Sequence, residues 1–449
     1  MAALATAAAV PLLLAGCSTG ADPNAPAGGE LTYWVGLDTI DDASIAAAQK
    51  LYVDPFEAQH PDIHIKVVPM NSEGSGAKVQ TALAAGQGPD FIETPGSSTA
   101  IPYAQAGYLA DLGPLAEEEG WKDTMLPWAL DMGVIDGKLV AIPVTYETLV
   151  LYYNKTLFAE HGWQPPTDQA SLETLAGEMV DAGVTPFTAG NADYVGATEF
   201  LVSAFLNEVA GPGNVHDALA GKRSFTDQPF VDAIQRLVDY FDAGWFAGGA
   251  KQYFAASDTQ KMSKIASGDA GMLISGSWDI ATMNEYFDES GQEWGWVALP
   301  SLADGVPGDV YPLSVGGTIS INAATQNLPA AEEYLKWKFS DTDANWAAIS
   351  EVGDLPLPVA FDATTVPDGI DPRFVEQYTA ISAASEAGQV GYVTWTSFGG
   401  GAEAYILENE DRLLTHALSP EDFLKGVDAA FQQDKADGVI PPLFDTKAR

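Results

Sequence analysis

Two tryptophans stand among small residues where the chain has reason to turn. Trp278 ends the run Ser275-Gly276-Ser277-Trp278, and Trp395 lies in Tyr392-Val393-Thr394-Trp395-Thr396-Ser397. Tyr146 and Glu147 interrupt an otherwise apolar run over residues 140–155. A sugar offers a flat C–H face and a rim of hydroxyls, so an indole or phenol ring suits the face and carboxylates or amides suit the rim. Each of these aromatics alone would serve equally as core packing, which leaves a carbohydrate platform and a buried core as two open readings.

Motifs of covalent chemistry are missing. There is no G-x-S-x-G elbow, no H-E-x-x-H pair and no Walker A loop. Gly74-Ser75-Gly76-Ala77-Lys78 lacks the spacing of a phosphate loop, and no two of the five histidines sit at i, i+4. Asp341-x-Asp343-x-Asn345 opens like a calcium loop, then places Trp346 where glycine is required and Val352 where a bidentate glutamate is required. Helix capping is the better use of Asp341. No metal, no cofactor and no enzymatic activity are expected, although 62 acidic residues leave a glycosidase carboxylate pair open.

Cys17 is the only cysteine. It follows an uncharged apolar stretch, residues 2–16, that is too short to span a bilayer but suits the core of a secretory signal. The first basic residue is Lys50, so the basic start of such a signal is expected upstream of Met1. Leu14-Ala15-Gly16-Cys17 resembles the bacterial lipobox, in which the thiol takes a diacylglycerol and becomes the new N-terminus. A thiolate is the side-chain nucleophile suited to that step. Residues 1–16 then read as signal peptide and 17–30 as a lipidated tether rich in Ser, Gly, Pro and Asp. The protein is expected to be exported, held on the outer face of the cell membrane by this lipid alone, and to fold without disulfides.

With 62 acidic against 20 basic residues the formal net charge is −42. Such a surface repels nucleic acid and anionic headgroups. Disorder is excluded by 10% aromatic and 47% hydrophobic content.

The elements that must position these residues follow from periodicity. Residues 31–35 and 62–68 read as strands, 45–60 as a helix that Pro55 could break, 78–85 as a helix and 91–93 as a strand. This order implies a sheet with helices on both faces. A strand block fills 140–155, a helix capped at Asp168 or Ser171 follows, and 199–209 and 229–241 are helical. Residues 270–278 form a buried strand ending in the Gly-Ser turn before Trp278, and 317–324 another. Residues 402–416 and 420–435 are the clearest helices of a mostly helical C-terminal third.

These blocks together resemble the extracellular solute-binding lipoproteins of bacterial ABC importers, in the sugar-binding group that includes maltose-binding protein. The resemblance rests on "AGQGPD", "IPVTYETLVLYYNK", "AGVTPF", "GMLISGSW", "GGTISINAATQNLPAAEEYLKW" and the Leu355-Pro356 pair, in that order. It implies a two-domain α/β fold of the venus-flytrap type with several hinge crossings. The N-terminal lobe would hold 31–143 plus 299–350 and the C-terminal lobe 144–298 plus 351–449, with hinges at 143–146, 298–301 and 351–354. It also implies site residues. Glu147, Trp278 and Trp395 align with ligand-binding positions, and Tyr146 adjoins the first. Asp38 and Trp34 lie at the end of the first strand, Glu93 replaces an aromatic contact, and Asn191 and Asp193 fall in a ligand-binding segment. The implied function is capture of a neutral carbohydrate by a single copy of the chain and its delivery to an ABC permease, with no nucleic-acid partner. A secreted glycosidase, or the same fold serving another polar solute or a sensor, is the alternative. Substituting Cys17→Ala should release the protein from the membrane fraction and abolish lipid mass, as mass spectrometry of the fractionated protein would report.

Overall fold

The computed structural model describes residues 28–37, 40–71 and 76–444. Cys17 and Asp38 lie outside these residues. The backbone is organised by one mixed sheet of nine strands. In chain order these are β1 (Gly29–Leu37), β2 (Ile63–Asn71), β3 (Phe91–Thr94), β4 (Ile142–Asn154), β5 (Thr185–Phe187), β6 (Ala270–Gly276), β7 (Trp294–Val297), β8 (Tyr311–Ile321) and β9 (Val390–Tyr392). The spatial order is β2-β1-β3-β8-β4-β6-β5, with β9 beside β8 and β7 beside β4. β1 runs parallel to β2 and β3, whereas β8 and β4 pair antiparallel. Helices cover both faces.

The sheet serves more than one core. At one end Leu31, Tyr33, Phe56, Phe91, Ile319 and Tyr334 cluster, and Ile92, Ile101 and Val140 form a second cluster. Phe91 and Ile92, one residue apart on β3, supply different clusters because strand side chains alternate faces. At the other end lies a larger core that includes Leu149, Leu151, Phe205, Leu313 and Tyr378. Only β4 and β8 are long enough to contribute to both ends. Ile142 and Ile319 belong to the small end, and Tyr146 and Val315 to the large one.

Between those ends the β4–β8 pairing shifts twice. Val315 faces Tyr146, Gly317 faces Thr145, and Thr318 faces Pro143. Gly316 is therefore an extra residue on β8 and Val144 an extra residue on β4, two compensating bulges back to back. A bulge leaves one residue without a ladder partner and bends its strand. The bulge on β4 falls within residues 143–146, where the first hinge is expected. The chain's return to the smaller lobe does not fall at 299. Leu299, Leu302, Tyr311, Leu313 and Val315 all pack in the larger core, so the crossing lies at Gly316–Gly317. Trp128, assigned from sequence to the N-terminal lobe, also packs on the larger core against Tyr146 and Phe444.

Local chemistry explains the element ends. Asp168 starts the helix Gln169–Asp181 by accepting from Ser171 N at 2.8 Å, with Ser171 returning the bond as a capping box. Asp341 caps Thr342–Val352 through Ala344 N at 3.0 Å, which accounts for the calcium-like spelling. The helix expected over 45–60 is two helices, Asp42–Tyr52 and Asp54–Gln59, because Pro55 is tolerated only in the first turn of the second. The helix expected over 199–209 ends in a π-helical turn, Leu206–Ala210.

Candidate functional site

The alternation of β4 sends Tyr146 and Glu147 to opposite faces. Tyr146 is 1% exposed, and its ring packs edge-on against Tyr378 at 5.2 Å. It is a core residue, which corrects its placement in the site. Glu147 points the other way, opposite Ser314 of β8. Its Oε1 accepts from Trp395 Nε1 at 3.2 Å. The residue is 7% exposed, and burial pushes its carboxyl up to about 7 against the opposing pull of hydrogen bonds from Ser314 and Trp395.

Trp395 belongs to the short helix Thr394–Ser397, and Trp278 to the 3-10 turn Ser277–Asp279 that follows β6. The indoles meet edge to face, 6.2 Å apart at 76°. Gly276 is needed for this. A Cβ there would lie 2.0 Å from the Trp278 ring, so the indole rests directly on the glycine backbone. Phe200 joins both, 5.0 Å from Trp278 and 5.4 Å from Trp395. Tyr194 stacks on Phe200 at 6.0 Å and is 44% exposed. All three central rings are partly buried, so they combine packing with accessible edges. Sequence reasoning missed Phe200 and Tyr194. Phe200 reads as one more apolar residue of a helix, and nothing in its neighbours marks it.

A second group lies across the hinge. A cavity of about 1050 Å³ opens between the two ends of the sheet, its wall including Trp34, Glu93, Thr145, Gly316, Glu285 and Asp354. Trp34 carries the Lys78 ammonium over its ring at 5.1 Å. Glu93 accepts from Tyr33 OH. It is open to solvent in the cleft, yet protein surrounds it closely enough to raise its carboxyl above the usual range, against the pull of Lys338. Thr145 and Gly316 connect this cavity to Glu147, because a Cβ on Gly316 would sit 2.4 Å from Glu147 Oε2 and 2.7 Å from Thr145 Oγ1.

The structure thus brings Glu147, Trp278 and Trp395 together, and Trp34 with Glu93. It does not bring in Asn191 or Asp193. Asn191 is buried and donates to Glu410 and to Thr198 Oγ1, the latter at 3.2 Å. Asp193 is exposed and accepts from Asp258 N at 2.9 Å at the start of the helix Asp258–Ser267. Behind Trp395, Glu199 lies near both Glu403 and Glu410. Glu199 and Glu403 are both raised, first by burial and then by neighbouring carboxylates. Glu410, 5% exposed, is pushed up to about 8 by burial. Among the described residues no group of three or more His, Cys, Asp or Glu is arranged to hold a metal ion. No helix among them is long and apolar enough to cross a membrane.

Facing rings beside a carboxyl acceptor thus adjoin, through Thr145 and Gly316, a cavity whose wall comes mostly from the smaller end of the sheet and includes Glu285 from the larger. The model of the bacterial extracellular solute-binding protein family matches residues 52–369. The chain belongs to this family. As a solute-binding protein it is similar to a probable sugar-binding periplasmic protein of Mesorhizobium japonicum, 30% identical over 46% of this chain and 49% of that one. It therefore spans about half the length of that relative. It is 25% identical to the galactooligosaccharide-binding protein of Bacillus subtilis over 66% of this chain and 67% of that protein. Among solved structures, a chitin oligosaccharide binding protein superposes with a TM-score of 0.76 at 20% identity, covering 91% of this chain and 99% of that one. That likeness carries the two-lobed α/β fold of this solute-binding protein.

The raised carboxyls set a pH dependence. A carboxyl whose folded pKa exceeds its unfolded value binds its proton more tightly in the folded state, so stability is lost as pH rises from the unfolded value through the folded one. For Glu147 and Glu410 that window runs from the ordinary 4.5 to about 7 and about 8. The ligand-free protein should therefore unfold at a lower temperature at about pH 8.5 than at about pH 5.5. Glu147→Gln should raise the midpoint at the higher pH and leave it nearly unchanged at the lower, as paired thermal melts would show.

Proposed function

We propose that the protein captures a neutral saccharide between its lobes and delivers it, chemically unchanged, to an ABC permease. The observation that carries this reading is the cluster of Trp278, Trp395 and Phe200 beside a carboxyl that Trp395 itself orients. Partly exposed ring faces suit the C–H faces of pyranose units, and Glu147 suits their hydroxyls. The cavity of about 1050 Å³ has room for more than one sugar unit, which favours an oligosaccharide. Its relatives point the same way, one a probable sugar-binding periplasmic protein and the other a galactooligosaccharide-binding protein.

The same reading assigns the remaining parts. Lipidation of Cys17 tethers a single copy of the chain outside the membrane, and Ser18 to Gly28 supply reach. Trp34 and Glu93 form the opposing wall, so ligand contacts both lobes and favours the closed arrangement, because only differential affinity shifts a population. Asp38 follows β1 in the sequence and lies outside the described residues; its expected contact with the ligand stays part of this proposal.

The test is a thermal-shift panel of galactooligosaccharides, diacetylchitobiose, maltodextrins, xylooligosaccharides and raffinose. A ligand at 100 times its Kd adds about 2.7 kcal/mol of stability, a readily measured shift. With the saccharide that shifts the midpoint, Trp278→Ala should weaken binding by about 2 kcal/mol or more while leaving ligand-free stability close to wild type. A core tryptophan would instead lose about 3–5 kcal/mol of stability. If no saccharide shifts the midpoint, the carbohydrate reading is wrong. If Trp278→Ala binds as wild type, the aromatic platform is misassigned.

A further inference from the structure

Glu147 occupies the one place where both hinge strands meet the ligand side of the cleft. Gly316 is the extra residue of the β8 bulge, and the Glu147 carboxyl takes the space a side chain there would need, its Oε2 2.4 Å from the position of a Cβ. Any side chain at 316 would push that carboxyl and the Thr145 hydroxyl away. The carboxyl also reaches across the lobes. Its partner Trp395 accepts, through its backbone oxygen, from Ser98 Oγ at 3.0 Å. Ser98 sits in the helix Ser97–Gln105, whose Ala100, Ile101 and Tyr103 pack in the small-end core, whereas Trp395 packs on the large one. Hinge bulge, carboxyl, indole and inter-lobe hydrogen bond form one chain of contacts.

We propose that Gly316 is a positioning residue that seats the Glu147 carboxyl inside the hinge, so that the ionisation of this carboxyl sets the angle between the lobes. A neutral carboxyl in the space beside Gly316 keeps the bond from Trp395 Nε1 and has less need for water than a charged one. An ionised one in the same place has lost hydration that no cation replaces, and opening the hinge restores it. The groups facing it are Thr145 on its own strand, Ser314 and Gly316 on β8 and Trp395 on the short helix, while Tyr378 of the helix Pro372–Ala387, packed on Tyr146 on the other face of β4, lies near enough for its phenol to be raised by the charge. None is cationic. Glu403, raised as well and hydrogen-bonded to Ser98, is the rival group at the same lobe contact. The inference stands on the hinge geometry and holds whatever solute the cleft takes.

The test needs no ligand. Small-angle scattering of the full chain at about pH 5.5 and about pH 8.5 brackets the titration of Glu147. The wild type should show the larger radius of gyration at the higher pH. Glu147→Gln should remain compact at both. Glu403→Gln should keep the wild-type shift, and Gly316→Ala, with the carboxyl displaced, should be expanded at both. A wild-type radius independent of pH overturns the proposal, as does Glu147→Gln with a wild-type shift. If Glu403→Gln abolishes the shift, the switch belongs to the Ser98–Glu403 contact instead. If Gly316→Ala behaves as wild type, the glycine has no positioning role. Circular dichroism checks that each variant is folded, and should Gly316→Ala fail to fold, the two glutamine variants still decide between Glu147 and Glu403.

Discussion

The molecule depends on two strands that serve two cores at once. β4 and β8 pair along most of their length, yet Ile142 and Ile319 pack at one end and Tyr146 and Val315 at the other. A continuous ladder would make this a stiff beam. The compensating bulges at Val144 and Gly316 interrupt it where the burial changes hands. The interior of each lobe is close-packed and resists deformation, so the bulged segment is the interruption between the two cores. Val144, Thr145, Gly316 and Gly317 of that segment line the cavity.

The same constraint explains the chemistry of the site. Residues near the bulge are flanked by both lobes and lose water, which raises the carboxyl of Glu147. Aromatic side chains fill the space beside it without adding unpaired polar groups, and Trp395 contributes the indole N–H that Glu147 requires. Two glycines permit this. Gly276 lets the Trp278 indole lie on the backbone, and Gly316 lets the carboxyl lie on the hinge strand. A net charge of −42 fits the same picture, since many carboxylates lie on the solvated surface, while Glu199 and Glu208 are buried and their carboxyls are raised by that burial.

Membership of the extracellular solute-binding family places the protein's work outside the cytoplasm. A solute-binding protein needs surfaces complementary to its solute, and facing rings beside a buried carboxyl are the surfaces this structure offers.

The sequence by itself determined the elements. Period-two and period-3.6 patterns marked β1, β2, β6 and the long helices, Asp168 and Asp341 announced their caps, and Trp278 after a Gly-Ser turn announced an aromatic held at a strand end. The expectation that Trp278 and Trp395 serve a sugar came from rings placed among small residues, and Glu147 joined them through the family resemblance. The tertiary structure alone decided which of these meet. Tyr146 and Glu147 are neighbours in sequence, but strand alternation sends one to the core and the other toward the cleft. Phe200 enters the cluster from a helix whose periodicity marks it only as apolar. The crossing at Gly316 could not be read either, because a bulge is a property of two paired strands and neither strand alone encodes the register of the other.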